Sequence, residues 1–202
     1  MTLASYLIAA LSLLIISFVV FQVIVKHAYL RRRSLGVAAG LLQVAVWAMF
    51  FSFPYLYNPP NWAWFLAHAH PVGPGTLATA LVLLTVSLVV LVIAMAQLGL
   101  PRAVGARSTT LRESGLYRVT RNPQIVTGFP LVVGFALLWP SWCAVGWVTI
   151  YCAMAHMMVL AEEAHLRDWH GPLYAQYCER VPRYMGIRGL RNLKEKNRRK
   201  TG

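Results

Sequence analysis

Residues 122–161, NPQIVTGFPLVVGFALLWPSWCAVGWVTIYCAMAHMMVLA, contain no Lys, Arg, Asp or Glu. At roughly 1.5 Å per residue this stretch would extend about 60 Å as a single helix, twice the ~30 Å hydrocarbon core of a bilayer. It therefore folds back on itself. Trp139-Pro140-Ser141-Trp142 marks the reversal, because proline breaks a helix and tryptophan favours the membrane interface. The stretch reads as a helical hairpin that crosses the membrane twice.

Every charged side chain of the 202-residue chain falls within Lys26–Arg33, Arg102–Arg121 or Glu162–Lys200. With 58% hydrophobic residues, this segregation excludes an ordinary soluble domain and indicates an integral membrane protein. Leu3–Val25 is apolar throughout, with neither a basic start nor a small-residue cleavage pattern, and reads as a retained anchor. Gly36–Leu56 and Thr76–Leu98 supply two more apolar runs, separated by Asn58-Pro59-Pro60-Asn61 and the Pro71–Gly75 turn region.

The expected fold is all-α integral membrane with five transmembrane helices. Alternating spans place all 19 basic residues on one side, so the N-terminus is expected outside and the C-terminus in the cytoplasm. Residues 1–100 then form a three-helix scaffold. Residues 101–186 form a cofactor-binding region with the hairpin and cytoplasmic amphipathic helices, and residues 187–202 form a basic tail. The formal net charge of +13 is not taken to indicate nucleic acid. A basic cluster beside a membrane attracts anionic lipid headgroups, at about 1 kcal/mol per charge.

Cys143, Cys152 and Cys178 lack C-x-x-C spacing, and His68 with His70 lack a third ligand, so no metal site is expected. Glu162-x-x-His165 has the spacing of helical di-iron ligands, yet the other spans offer no partner glutamates.

The polar residues bracketing the hairpin are more informative. Glu162 and Glu163 end its second helix, where a carboxylate opposes the helix dipole. They either pair with Arg118, Arg121 or Arg167 or face a positive group of a ligand. Before the hairpin, Arg121-Asn122-Pro123 is biased towards extended backbone and can present its polar groups. After it, Leu166, Trp169, Leu173, Tyr174 and Tyr177 recur at helical spacing around Gly171-Pro172, as an amphipathic element lying on the membrane would.

In order, the chain shows Gly115-Leu116-Tyr117, Arg121-Asn122-Pro123, Glu162-Glu163, His170-Gly171, Tyr174, Tyr177 and Val181-Pro182. This series resembles the integral-membrane methyltransferases that include isoprenylcysteine carboxyl methyltransferase and the phospholipid methyltransferases. Their pattern is G-x-Y-x-x-x-R-H-P-x-Y-x-G, an apolar hairpin, E-E, F/Y-G-x-x-Y-x-x-Y and V-P. The resemblance covers residues 109–184 and implies S-adenosylmethionine as cofactor and a lipophilic small molecule, at the level of membrane lipids, as methyl acceptor.

The resemblance further implies cofactor contacts from Thr109, Thr110, Leu111, Arg112, Tyr117, Arg121, Asn122, Pro123, Gln124, Ile125, Glu162, Glu163 and Tyr174. Glu162 would take the cofactor's ammonium group, and exposed backbone N–H groups its carboxylate and adenine edge. The chain departs from the pattern at Asn122, in place of histidine, and at Ile125, in place of tyrosine, while the glycine expected at Thr127 is displaced to Gly128. Asn122 can hydrogen-bond but cannot titrate. Met158 stands at the substrate-binding position where the carboxyl methyltransferases carry an arginine, which directs the expectation to an amine, thiol or hydroxyl lipid. His156 and His165 are the nearby proton acceptors, and His165 with Asn122 forms the candidate catalytic pair. Two alternatives share the architecture: an NADPH-dependent membrane sterol-reductase-like enzyme, to which Tyr177-Cys178 and Val181-Pro182 are similar, and a non-catalytic lipid-binding protein.

Overall fold

A computed structural model describes residues 1–32, 35–58, 70–98, 111 and 113–185. The described elements are helical. Helix α1 runs Leu3–Phe18, widens into a π-helical segment at Val19–Val25 and ends as Lys26–Arg32. Thr2 caps its start by accepting the Ser5 amide at 3.2 Å. Helix α2, Val37–Ser52, tightens into a 3₁₀ turn at Phe53–Leu56. Pro54 has no N–H to offer the Phe50 carbonyl, and the indole of Trp147 donates to that carbonyl at 3.0 Å instead.

Helices α3, Pro74–Leu98, and α4, Pro123–Leu138, pack closely. Gly134 makes this possible, because a Cβ there would meet the Leu84 side chain and the Ala80 carbonyl at 3.0–3.2 Å. Without a hydrophobic force between helices in lipid, such small-residue contacts let backbones approach and gain dispersion energy. Helix α5, Trp142–His170, returns from the hairpin turn, with Ser141 accepting the Ala144 amide at 3.1 Å. Gly171 then adopts φ +50°, and α6, Pro172–Arg180, leaves in a new direction with Tyr174 and Tyr177 turned inward.

Among the described residues, four helices are long and apolar enough to cross a membrane: Leu3–Arg31, Val37–Leu56, Pro74–Gln97 and Trp142–His170. The chain is thus a multi-pass integral membrane protein. The remaining helix of the five expected is α4, Pro123–Leu138, which is apolar but shorter than these four. Helix α4 has only 16 residues, about 24 Å at ~1.5 Å each, because Pro123 sets its start and Trp139-Pro140 its end. The hairpin turn itself lies where proline and tryptophan indicate. Large apolar side chains such as Val82, Val86, Val89 and Val92 of α3 are more than half exposed, as a lipid-facing surface requires.

Helix α5 has 29 residues, about 43 Å, and so outruns the ~30 Å hydrocarbon core by more than two turns. Counting about 20 residues from Trp142 reaches Ala161. Glu162 and all later polar residues of α5 therefore emerge at its charged end, where α1, α6 and the segment before α4 converge.

Candidate functional site

Adjacent residues on a helix point about 100° apart, and Glu162 and Glu163 have different surroundings. Glu163 is buried, and the Arg183 guanidinium grips it with both prongs, Nε to Oε1 at 3.0 Å and Nη2 to Oε2 at 2.7 Å. Arg121 Nη1 adds a contact at 3.2 Å, and Arg167, one turn on, another at 3.7 Å. This carboxylate is fully compensated.

The arginines are held by backbone. The Arg121 amide donates to the Pro182 carbonyl at 3.0 Å. Thr120 Oγ1 and Asn122 Nδ2 both donate to the Arg183 carbonyl, at 3.1 and 3.0 Å. The Arg121-Asn122 and Pro182-Arg183 segments are thereby clasped together over the end of α5. Asn122 acts here as a staple. Arg121 also lies beside Tyr174, whose phenol burial holds well above its ordinary value against the opposing pull of that guanidinium.

Next to the clasp, Gly115 adopts φ +61° and presses against the Gln97 side chain, leaving no room for a Cβ. Gln97 Oε1 accepts the Leu116 amide at 3.0 Å, which ties the end of α3 to this turn. Tyr117 is buried. Its hydroxyl accepts from Gln124 Nε2 at 2.8 Å, and its carbonyl accepts the Tyr177 hydroxyl at 2.7 Å. Leu111 packs on the Tyr174, Tyr177 and Val181 cluster. Pro123 is buried at the start of α4, and the Ile125 carbonyl accepts the Tyr151 hydroxyl at 2.8 Å.

Glu162 is different. Half-buried, it lies within electrostatic reach of the Tyr29 phenol of α1, and no hydrogen bond or ion pair reaches it among the described residues. His165, one turn on, stacks against Tyr29 with ring centroids 4.5 Å apart and planes 16° apart, and its buried Nδ1 has no hydrogen-bond partner among the described residues. One turn before Glu162, Met158 Sδ lies 3.8 Å from Gln43 Nε2 of α2, while the Gln22 amide of the π-helical segment donates to the Met157 carbonyl. π-helical turns recur at functional sites. Burial and the adjacent Glu163 raise the Glu162 carboxyl above its ordinary value, and a carboxyl group flanked by aromatic rings is a setting that an organic cation would stabilise in its ionised form.

Residues 75–172 match the family model described as phospholipid methyltransferase. This stretch is a phospholipid methyltransferase domain. Members of that family are membrane methyltransferases that use S-adenosylmethionine and act on lipid-type acceptors. No curated protein and no solved structure matches the chain significantly. The domain holds α3, α4, α5 and the Gly115–Asn122 segment, whereas Tyr29, Gln22, Gln43 and Arg183 lie outside it.

The charged end of the methyltransferase domain gathers Tyr117, Arg121, Asn122, Pro123, Gln124, Glu163 and Tyr174 into one hydrogen-bonded and packed group. Glu162 and His165 face α1 instead, and Met158 faces α2. Thr109, Thr110 and Arg112 lie outside the described residues. Sequence reasoning did not single out Tyr29, Arg183, Gln22 or Gln43. The two glutamines carried a signal: each is a lone amide within an apolar run, where a polar side chain must find a partner.

Proposed function

We propose that the chain transfers the methyl group of S-adenosylmethionine to an uncharged nucleophile on a lipophilic acceptor, at the cytoplasmic face of the membrane. The observation that carries this reading is the Glu162 carboxyl, which no cation meets among the described residues, set beside Tyr29 and His165 at the charged end of the methyltransferase domain. Burial and the neighbouring Glu163 hold it above the usual carboxylate range, and a cationic ligand arriving beside it would favour its ionised form.

When bound, the cofactor supplies an electrophilic methyl group on a sulfonium. Glu162 would hold its ammonium group, and Tyr29 and His165 would present aromatic faces to positive charge. The 115–125 segment would line the remainder, with Tyr117 and Gln124 fixed by their mutual hydrogen bond. Glu163 and Asn122 take positioning roles, because their polar groups are engaged by Arg183 and its carbonyl. Holding the reacting groups in line and excluding water supplies most of the rate acceleration in such a displacement.

An amine, thiol or hydroxyl acceptor fits better than a carboxylate. Met158 stands where the carboxyl methyltransferases carry a substrate-holding cation, and it is turned to the neutral Gln43 amide of α2, so that position supplies no charge to hold a carboxylate. The cytoplasmic placement rests on the confinement of Lys and Arg to three segments joined by uncharged runs. Calorimetric titration of the detergent-purified protein with S-adenosylmethionine, and separately with NADPH, tests the reading. Binding of the first, followed by transfer of labelled methyl into an extracted lipid, is the expected outcome. Binding of NADPH alone would establish a reductase, and binding of neither a non-catalytic protein.

A further inference from the structure

Between α4 and α5 lies a cavity of about 670 Å³, inside the ~300–1,000 Å³ range of small-molecule sites. Ile125, Val126 and Phe129 of α4 form one wall, and Cys152 and Ala155 of α5 the other. His156 and Tyr184 stand at its polar end, His156 Nδ1 lying 2.9 Å from the Tyr184 hydroxyl. Among the described residues, no Lys, Arg, Asp or Glu lines it.

Two features fix what this groove suits. One end adjoins the clasp, since Ile125 follows closely on Asn122 and Tyr184 follows Arg183, which grips Glu163. The other opens sideways through Phe129 and Cys152, both exposed on the hairpin. A lateral opening on a membrane hairpin faces hydrocarbon, and an apolar chain is what enters from there.

Resting on the methyltransferase reading above, we propose that this groove holds the acyl chain of the methyl-accepting lipid and that His156 takes the proton released by its nucleophile. With Nδ1–H donating to the Tyr184 oxygen, Nε2 presents a lone pair to the groove. The nucleophile's lone pair forms the new bond to the methyl carbon. The carbon–sulfur bond breaks with its electrons passing to sulfur, which turns from sulfonium to neutral thioether. The N–H, O–H or S–H proton passes to His156 Nε2. Burial raises the Tyr184 phenol above its ordinary value although Arg183 opposes this, so Tyr184 stays a neutral hydroxyl that orients the imidazole. Among the described residues, the titratable groups around His156 are Tyr184, Cys152 one turn earlier on α5, Tyr151 beside it in the cavity wall and the Arg183–Glu163 pair behind; α4 contributes none.

Bilayer discs containing phosphatidylethanolamine with a diazirine in one acyl chain, photolysed and mapped by mass spectrometry, test the groove. Adducts are expected to concentrate on Ile125, Phe129 and Cys152 over the lipid-facing Val82, Val86 and Val89 of α3, and Cys152→Trp is expected to remove most of them with S-adenosylmethionine affinity unchanged. Even labelling of both surfaces overturns the groove assignment. For His156→Gln, methyl transfer is expected to fall about 100-fold, with cofactor affinity unchanged and the pH dependence of the rate altered. A wild-type rate and pH profile overturns the role of His156. If the wild-type protein binds no S-adenosylmethionine, the methyltransferase reading and the role of His156 fail together, while the labelling pattern still decides the groove.

Discussion

Tyr29 lies flat on His165, with centroids 4.5 Å apart and planes 16° apart, so the first helix contributes a ring to the cluster around Glu162. The contact bridges α1 and α5 at their charged ends. Aromatic pairs are worth about 0.5–1.5 kcal/mol beyond their buried area. Tyr29→Ala is expected to destabilise the protein by about 1 kcal/mol more than Tyr29→Phe, and to weaken S-adenosylmethionine binding where Tyr29→Phe largely keeps it. Thermal unfolding in detergent with parallel calorimetry measures both, and equal behaviour of the two variants would dismiss the ring contact.

The two adjacent glutamates are expected to separate cleanly on substitution. Glu162→Gln should fold normally and lose cofactor affinity at least about tenfold, a change of ~1.4 kcal/mol. Glu163→Ala leaves the Arg121 and Arg183 guanidiniums without their shared carboxylate, and should cost about 3–5 kcal/mol of stability. Unchanged affinity in the first variant would remove Glu162 from the site.

Gly128 faces the Tyr151 hydroxyl so closely that a Cβ has no space. Gly128→Ala should therefore cost about 1–3 kcal/mol through overpacking. Tyr151→Phe removes the obstructing hydroxyl along with its bond to the Ile125 carbonyl, so the double variant should be less destabilised than the sum of the singles. Strict additivity in a double-mutant cycle would show that the two helices relax apart instead.

Asn122→Ala removes the donor that ties the Arg183 carbonyl to the start of α4. A stability loss of about 1–2 kcal/mol is expected, with faster exchange than in the wild-type protein at the Arg121 amide, which donates to the Pro182 carbonyl, and at the Val181 amide, which donates to that of Tyr177. Exchange that stays at the wild-type rate would place the strength of the clasp in the Arg183–Glu163 pair alone.

The placement of the hairpin turn was legible because proline and paired tryptophans act locally, whatever the rest of the chain does. The length of α4 was less so. Its apolar run continues through Trp139, and only the realised helix ends show that 16 residues remain. Glycine spacing was legible as a departure from the family pattern, yet its reason, the Tyr151 hydroxyl arriving from α5, was not.

By itself the sequence determined the membrane class, the hairpin and the ordered motifs of the methyltransferase domain, because hydropathy, charge and short-range spacing are properties of the chain in one dimension. Only the tertiary structure decided that Glu163 is gripped by Arg183 while Glu162, beside Tyr29, meets no cation among the described residues and is raised above the usual carboxylate range by burial. Helical geometry turns the two neighbours about 100° apart. What each one meets depends on how α1 and the segment after α6 pack against α5, and those contacts join residues far apart in the chain.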